Sequence, residues 1–482
     1  MANYETKRRE YNDAVESWQL VKDCVAGSRA VKHRGIAYLP MPDATNKSDE
    51  NKERYISLLM RAMFLNVTGR TRQGLIGAVF RKTAEVDLPT SVEYLLENAS
   101  GDGTSLEQIS KEAVGEDLDT GRGGFFVDYP TSGVPDGVRP TRAQTAGKNA
   151  HIHLYDAMSI INWREDVIDG VRKLTMVVLH ECYNDDESDE FNFNVKKQYR
   201  ALTLEDGIYR HRMWHEGDAY ESPQLDVNPT DYKGKQFDHI PFYFFGAESN
   251  DARVDKSPLE DLATVNILHY GNSATVEESG FISSQPTLFF TTDIQQEEFE
   301  KWNPNGIQIG STCGYSLGKT GTATLVQANE SQLALKLMQE KENQMLMIGA
   351  RIVQQSGQNE TAEAARIRYS SDNSVLGTIA GNVSEAMKLA LLDAQLYMAG
   401  ATDVKGTIFW LNQEFFDETM DAQMITAQIQ LWQQGFIAKS DLRTNLRQAA
   451  IIEADRSDDD IDADRENEPP VDAGGETITE DE

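Results

Sequence analysis

The nearest approach to a nucleotide motif is Gly314, Tyr315, Ser316, Leu317, Gly318, Lys319 and Thr320. A phosphate-binding loop needs four residues between its first Gly and the Gly-Lys pair so that backbone N–H groups can wrap the phosphates, and three stand here. The next residues, Gly321 to Val326, read as a strand, so no helix N-terminus is offered to an anion. The spacing describes a hairpin turn. His211 and His215 are four apart and His151 and His153 two apart, but both pairs lie in strand-like runs without a flanking Cys or carboxylate cluster. Four residues along a strand span about 13 Å, too far for one ion, which leaves a structural or surface role. Acid runs at Asp185, Asp186 and Glu187 and from Asp458 to Asp464 lack the Gly and closing Glu of a calcium loop. No Ser has the strand-turn-helix setting of a nucleophile elbow. Cys24, Cys182 and Cys313 are odd in number and form no CxxC pair, as expected of buried thiols in a reducing compartment. No catalytic residue, metal or cofactor is expected, and the chain does not read as an enzyme.

Charge says more than these fragments. The 482 residues carry 78 Asp+Glu against 46 Lys+Arg, a net of −32, and such a field opposes coating of the whole surface with nucleic acid. The balance is uneven. Residues 1–84 hold fifteen bases and nine acids, with clusters at Lys7-Arg8-Arg9, Lys32-His33-Arg34 and Arg70-Thr71-Arg72. Residues 453–482 hold fourteen acids and two Arg, and little is left to bury after Ile461, so this end is expected to be a solvated tail. The start is polar and charged where a signal peptide is apolar, and no apolar run is expected to reach the roughly 18 residues that cross a bilayer. These features describe a soluble chain made in a cytosol.

The elements that must position any site are legible from period and punctuation. Tyr11, Val15, Trp18 and Val21 share a helix face, and 51–80 reads as a second helical stretch with Tyr55, Leu58, Leu59, Ala62, Met63 and Leu65 along its stripe. Thr104 with Glu107 fits a capping box, and the helix it opens ends at Gly121. From 151 to 245 short β-rich runs alternate with Asp, Asn and Gly, which predicts antiparallel strands at 151–155, 174–180, 198–204, 209–214 and 241–245. The absence of βαβ alternation argues against a doubly wound sheet. Ser257, Pro258 and Glu260 mark a helix start, and Gly280 its end, about 33 Å further on. Short strands at 286–291, 306–309 and 322–326 surround a small helix at 294–302, and a second long helix covers 329–353. The polar run Gln354, Gln355, Ser356, Gly357, Gln358 and Asn359 interrupts before helix resumes near Thr361 and continues toward Gly400. A strand at 407–410 and two short helices, 421–434 and 440–450, close the folded part.

This order of elements resembles the portal proteins of tailed bacteriophages. Trp18, Val21, Asp23, Gly27, Val31, Gly35, Tyr38, Leu39 and Pro40, and later the run from Gly101 to Leu106, look like one subgroup of that family. The resemblance implies an α+β portal-type fold: an α/β wing (1–256), a first stem helix (257–280), a small α/β clip (281–327), a second stem helix (328–353), a tunnel loop (354–360), a wing helix and strand (361–412), a short helical crown (413–454) and a disordered acidic tail (455–482). Such proteins form a ring, commonly a dodecamer, at one capsid vertex, and double-stranded DNA passes through it during packaging and ejection. Carried over, Gln354, Gln355, Ser356, Gly357, Gln358 and Asn359 line the DNA channel, and Glu297, Glu298, Glu300 and Lys301 of the clip meet partners. The implied partners are the terminase large subunit, the head-to-tail adaptor and the major capsid protein or scaffold, with no membrane. The implied location is the virion's portal vertex after synthesis in the host bacterial cytoplasm. An uncharged loop suits a conduit, because each tight phosphate contact has to break at every step of translocation. Two other readings are a different structural head or adaptor protein, and a packaging nuclease or ATPase; the one-residue defect at Gly314 to Thr320 argues against the last.

Overall fold

The computed structural model describes residues 3–130, 141, 147–168, 170–184, 194–284, 287–291, 293–302, 320–326, 332–349, 362–399, 402–413, 415, 430, 432, 436, 438–448 and 456–467. The chain divides into two compact units, Met1–Gln413 and Glu414–Glu482.

The first unit opens with helices α1 (Arg9–Ala26), α2 (Ser28–His33), α3 (Asp49–Arg61) and α4 (Val67–Val79), then strand β1 (Glu85–Asp87) and helix α5 (Leu106–Thr120). The stretch 51–80, expected as one helix, is therefore two. Ala62 leaves helical geometry at ψ 131°, and Asn66 restarts the helix by accepting from the Gly69 N–H at 2.8 Å. The cap of α5 also sits one residue later than expected: Ser105 and Gln108 form the capping box. Gly121 ends α5 as expected, in the left-handed region at φ 70°.

Strands β2 (Arg122–Asp128), β3 (His151–Asp156), β4 (Ile160–Ile168), β5 (Val171–Asn184), β6 (Val195–Glu205), β7 (Ile208–His215), β8 (Leu225–Val227) and β9 (Phe242–Gly246) come next. All pair antiparallel, in a three-stranded sheet of order β3-β2-β9 and a five-stranded meander β4-β5-β6-β7-β8. Strand β4 is not among the expected strands; its second half, Arg164, Glu165 and Asp166, shows no apolar alternation. The two sheets face each other through Phe126 and His211, ring centroids 5.9 Å apart, and Tyr155 and Glu181, 2.5 Å apart. Helices cover the other side of the small sheet, so β2 is buried almost throughout, and its run Phe125, Phe126 and Val127 is apolar without alternation.

The remaining elements are α6 (Glu260–Ser283), β10 (Thr287–Thr291), α7 (Gln296–Trp302), β11 (Thr322–Val326), α8 (Gln332–Gly349), α9 (Ala362–Ala399) and β12 (Ile408–Trp410), which pairs with β1. Helix α9 packs on β2, β3, β9 and α5. Its buried residues Leu376, Ile379, Val383, Met387 and Leu391 recur at three and four, each contributing about 1.5–3 kcal/mol by leaving water. Contrary to expectation, one segment among the described residues is apolar and long enough to cross a bilayer: Val375–Ala399, with a mean hydropathy of 1.2. Half of it is buried within the protein, which is the pattern of a core helix.

Polar groups pin this core. Lys22 of α1 sits 3.0 Å from Glu116 and 2.7 Å from Asp156, and Arg72 of α4 sits 2.7 Å from Asp119. Cys24 is buried, and burial pushes its thiol up to about 12; Cys182 is exposed, correcting the expectation of a buried thiol, and Cys313 lies outside the described residues.

In the second unit, helices α10 (Lys439–Gln448) and α11 (Asp458–Asn467) are described. The acidic end was expected to be an unstructured tail, yet part of it is α11. Ser457 and Asp460 cap this helix reciprocally, and Asp462 pairs with Arg443 and, at 2.5 Å, with Lys439, so local hydrogen bonds replace the missing apolar core. The helix expected at 421–434 lies almost wholly outside the described residues.

Candidate functional site

Helices α6 and α8 and the segment between them form the candidate site. Near the start of α6, Leu259 and Leu262 line a cavity of about 150 Å³ with Ile348 from the end of α8. Further along α6, His269 Nε2 lies 3.2 Å from Glu342 Oε1, nearer the middle of α8. The order of these contacts makes the two helices antiparallel. At about 1.5 Å per residue α6 is roughly 36 Å long and α8 roughly 27 Å.

The start of α6 differs from its sequence signature. Leu259 is the cap residue and makes no side-chain cap bond, while Ser257 Oγ accepts from the Leu259 N–H and donates to the Leu118 carbonyl, both at 3.2 Å. Gly280 does not end the helix, which continues through Ser283.

One face of α6 is fastened to the N-terminal helices. Asn266 Oδ1 accepts from the Thr68 hydroxyl at 2.9 Å, and its Nδ2 donates to the Leu65 carbonyl at 2.8 Å. Glu278 receives Arg54 at 3.0 Å and Arg61 at 2.5 Å. The opposite face, with Thr264, Leu268, Thr275 and Ile282, is exposed.

Helix α8 is far less covered. Among its described residues only Ala334 and Met345 are buried, while Leu333 (69%), Leu335, Leu337, Leu346, Met347 (59%) and Ile348 are exposed. Six large apolar side chains are thus exposed on one 18-residue helix.

Between the helices, β10 and β11 pair antiparallel from Thr287↔Val326 to Thr291↔Thr322, and α7 lies between them in sequence. The predicted clip residues Glu297, Glu298, Glu300 and Lys301 are all on α7 and all exposed, and Glu300 accepts from the Gln296 amide at 3.0 Å. The predicted channel residues Gln354, Gln355, Ser356, Gly357, Gln358 and Asn359 lie outside the described residues, as do the strand expected at 306–309 and all of the Gly314 to Thr320 run except Thr320. The long helices expected at 329–353 and from 361 are seen as Gln332–Gly349 and Ala362–Ala399.

The histidines are dispersed. His211 is buried, with Nε2 2.8 Å from an Arg200 nitrogen, and burial pushes its imidazole down to about 4. His215 stacks on Tyr183 at 4.3 Å. Among the described residues no three His, Cys, Asp or Glu side chains gather around a possible metal. A histidine passed over in the sequence, His239, bridges Asp238 at 3.1 Å and the buried Asp393 of α9 at 3.0 Å. No spacing rule announces it, because Asp393 lies far away in the chain.

The family described as a domain of unknown function (DUF4055) matches residues 258–398. This stretch begins two residues before α6 and stops one residue short of the end of α9, so it takes in the paired helices, the segment between them and the long core helix. No curated protein matches the sequence. Among solved structures, the neck of an empty GTA particle, computed with C6 symmetry, is similar at 14% identity and a TM-score of 0.37, covering 81% of this chain and 92% of that one.

Proposed function

We propose that the chain is a structural subunit of a phage-like particle, a portal-type protein of the head-to-tail junction that assembles into a ring around a DNA conduit. The observation that carries the reading is the antiparallel α6 and α8 pair bracketing the β10-α7-β11 segment, with the apolar side chains of α8 left in solvent. A helix so exposed needs a neighbour, and a rotational ring supplies one to every copy. The α+β layout and the resemblance of its element order to portal proteins support the same reading.

In it, α6 and α8 are the stem, the segment between them is the clip that meets a packaging terminase and later an adaptor, and 354–360 faces the DNA. The protein acts by holding and positioning, without catalysis, at the portal vertex of the virion. Native mass spectrometry and negative-stain imaging of the purified full chain test the assembly. Closed rings are expected, and Leu333→Lys with Leu337→Lys is expected to return them to monomers with an unchanged circular dichroism spectrum. Monomeric wild-type protein, or shell fragments, would sink the reading and favour another head component.

A further inference from the structure

Residues 24–42 and 54–84 are among the stretches without an acidic residue, in a chain where acids outnumber bases 78 to 46. They fold against one another. The chain turns from α1 into α2 at Gly27, φ 91°, where an added methyl would stand 2.8 Å from Asn66 Nδ2. A methyl on Gly69 would stand 2.7 Å from the Val25 carbonyl. The corner between α1 and α2 and the first turn of α4 are therefore in contact. Arg29, two residues past Gly27, and Arg70, next to Gly69, emerge from these adjoining turns, both exposed.

Most neighbouring bases are engaged. Arg34 holds Asp23 at 2.6 Å, Arg72 holds Asp119 at 2.7 Å, Arg54 and Arg61 hold Glu278, and Lys32 Nζ donates to the Met60 carbonyl at 3.0 Å. Arg29 and Arg70 have no carboxylate partner among the described residues. The other exposed residues at the Gly27 corner, Ala26 and Ser28, are small or polar, whereas Ile36 past α2 and Met63 and Leu65 before α4 are exposed aliphatic side chains. Two exposed guanidinium groups with no carboxylate partner among the described residues suit an anion.

We propose that the α2 and α4 surface around Arg29 and Arg70 binds the phosphate backbone of duplex DNA without reading its sequence. The inference rests on the ring reading only for bringing DNA to this surface. With two or three cations engaged, the contact is weak, salt-sensitive and quickly reversed.

The test uses the full-length protein and a fluorescent duplex of about 30 base pairs, with anisotropy followed from about 50 to 200 mM KCl. Arg29→Glu with Arg70→Glu is expected to weaken binding about tenfold or more at the low-salt end and to reduce the slope of log affinity against log salt by about two. Arg164→Glu, an exposed change on β4, is expected to leave both unaltered. Arg29→Gln with Arg70→Gln keeps the test open if charge reversal disturbs folding. Equal DNA affinity and slope in wild type and double variant would overturn the proposal. So would a double variant that keeps its DNA affinity but no longer binds a synthetic peptide of residues 453–482, because the surface would then serve an acidic protein segment. Ring mass measured on the same samples separates the two ideas: intact rings with unchanged DNA binding remove this inference alone.

Discussion

His269 of α6 and Glu342 of α8 meet at 3.2 Å, and this contact ties together the two helices that carry the proposed stem. His269 is buried and its Nδ1 has no partner, so Glu342 is the one polar group that answers the ring among the described residues. Removing it by Glu342→Ala leaves a buried imidazole with neither nitrogen bonded. A loss of about 1–2 kcal/mol is expected in urea titrations, and Glu342→Gln, which keeps an acceptor, is expected to restore most of it.

His239 gives the fold a pH limit on the alkaline side. Burial disfavours its charge, but hydrogen bonds and charge from Asp393, joined by Asp238, more than offset this and raise it from 6.5 to about 9. Both ring nitrogens face carboxylates, and only the imidazolium offers an N–H to each. Because the folded value lies above the unfolded one, the stabilisation is complete below about 6.5 and disappears as pH rises through about 9. His239→Gln is expected to cost about 1–2 kcal/mol at pH 7, discounted for the partly exposed ring, and almost nothing at pH 10. Thermal melts across that range check the convergence.

Asp117 presents the opposite sign. It is fully buried in the last turn of α5, neither carboxylate oxygen has a partner, and burial, with Asp255 and Glu116 nearby, holds its carboxyl well above the usual range. A raised carboxyl favours the folded state most at low pH, and its penalty grows as pH climbs above the unfolded value near 3.8. Asp117→Asn is expected to be more stable than wild type by about 1–3 kcal/mol at pH 8 and close to equal at pH 4. A stability gain that does not change with pH would contradict this account.

Much of this molecule can be read from periodicity. The strands from His151 to Phe245, the helix stop at Gly121 and the α6, segment, α8 order all come from local pattern, because side-chain period and capping chemistry are local properties. What could not be read depends on distant partners. The 51–80 stretch keeps its helical period across Ala62 to Asn66, and the break there is fixed by Asn266 and Ser273 of α6, about 200 residues away. The exposure of Leu333 and Met347 is likewise hidden, since an apolar helix reads the same whether it is buried or waiting for a partner. Helix α11 leaves no apolar period in the sequence, because Arg443 and Lys439 hold it through Asp462.

Deleting Gln354 to Asn359 tests the channel-facing role assigned to that loop. The six residues carry no charge and no large apolar group, so their loss is expected to leave ring mass unchanged. DNA retention or packaging is expected to fall. A deletion variant that packages and holds a full genome would remove the loop from the mechanism.

Charge reversal on α7 separates docking from assembly. Glu297, Glu298 and Lys301 are exposed, so reversing them is expected to change stability by no more than about 0.5 kcal/mol. A partner that approaches this helix meets three acids and one base, and Glu297→Lys with Glu298→Lys turns that field from repelling anions to attracting them. Binding of the terminase large subunit, followed by surface plasmon resonance, is expected to weaken mainly through slower association, with the difference shrinking as salt is raised. Ring mass measured beside it is expected to stay constant. If the rings fall apart while terminase affinity per assembled ring is unchanged, α7 belongs to the contact between copies and the docking role passes to another part of the 284–331 segment.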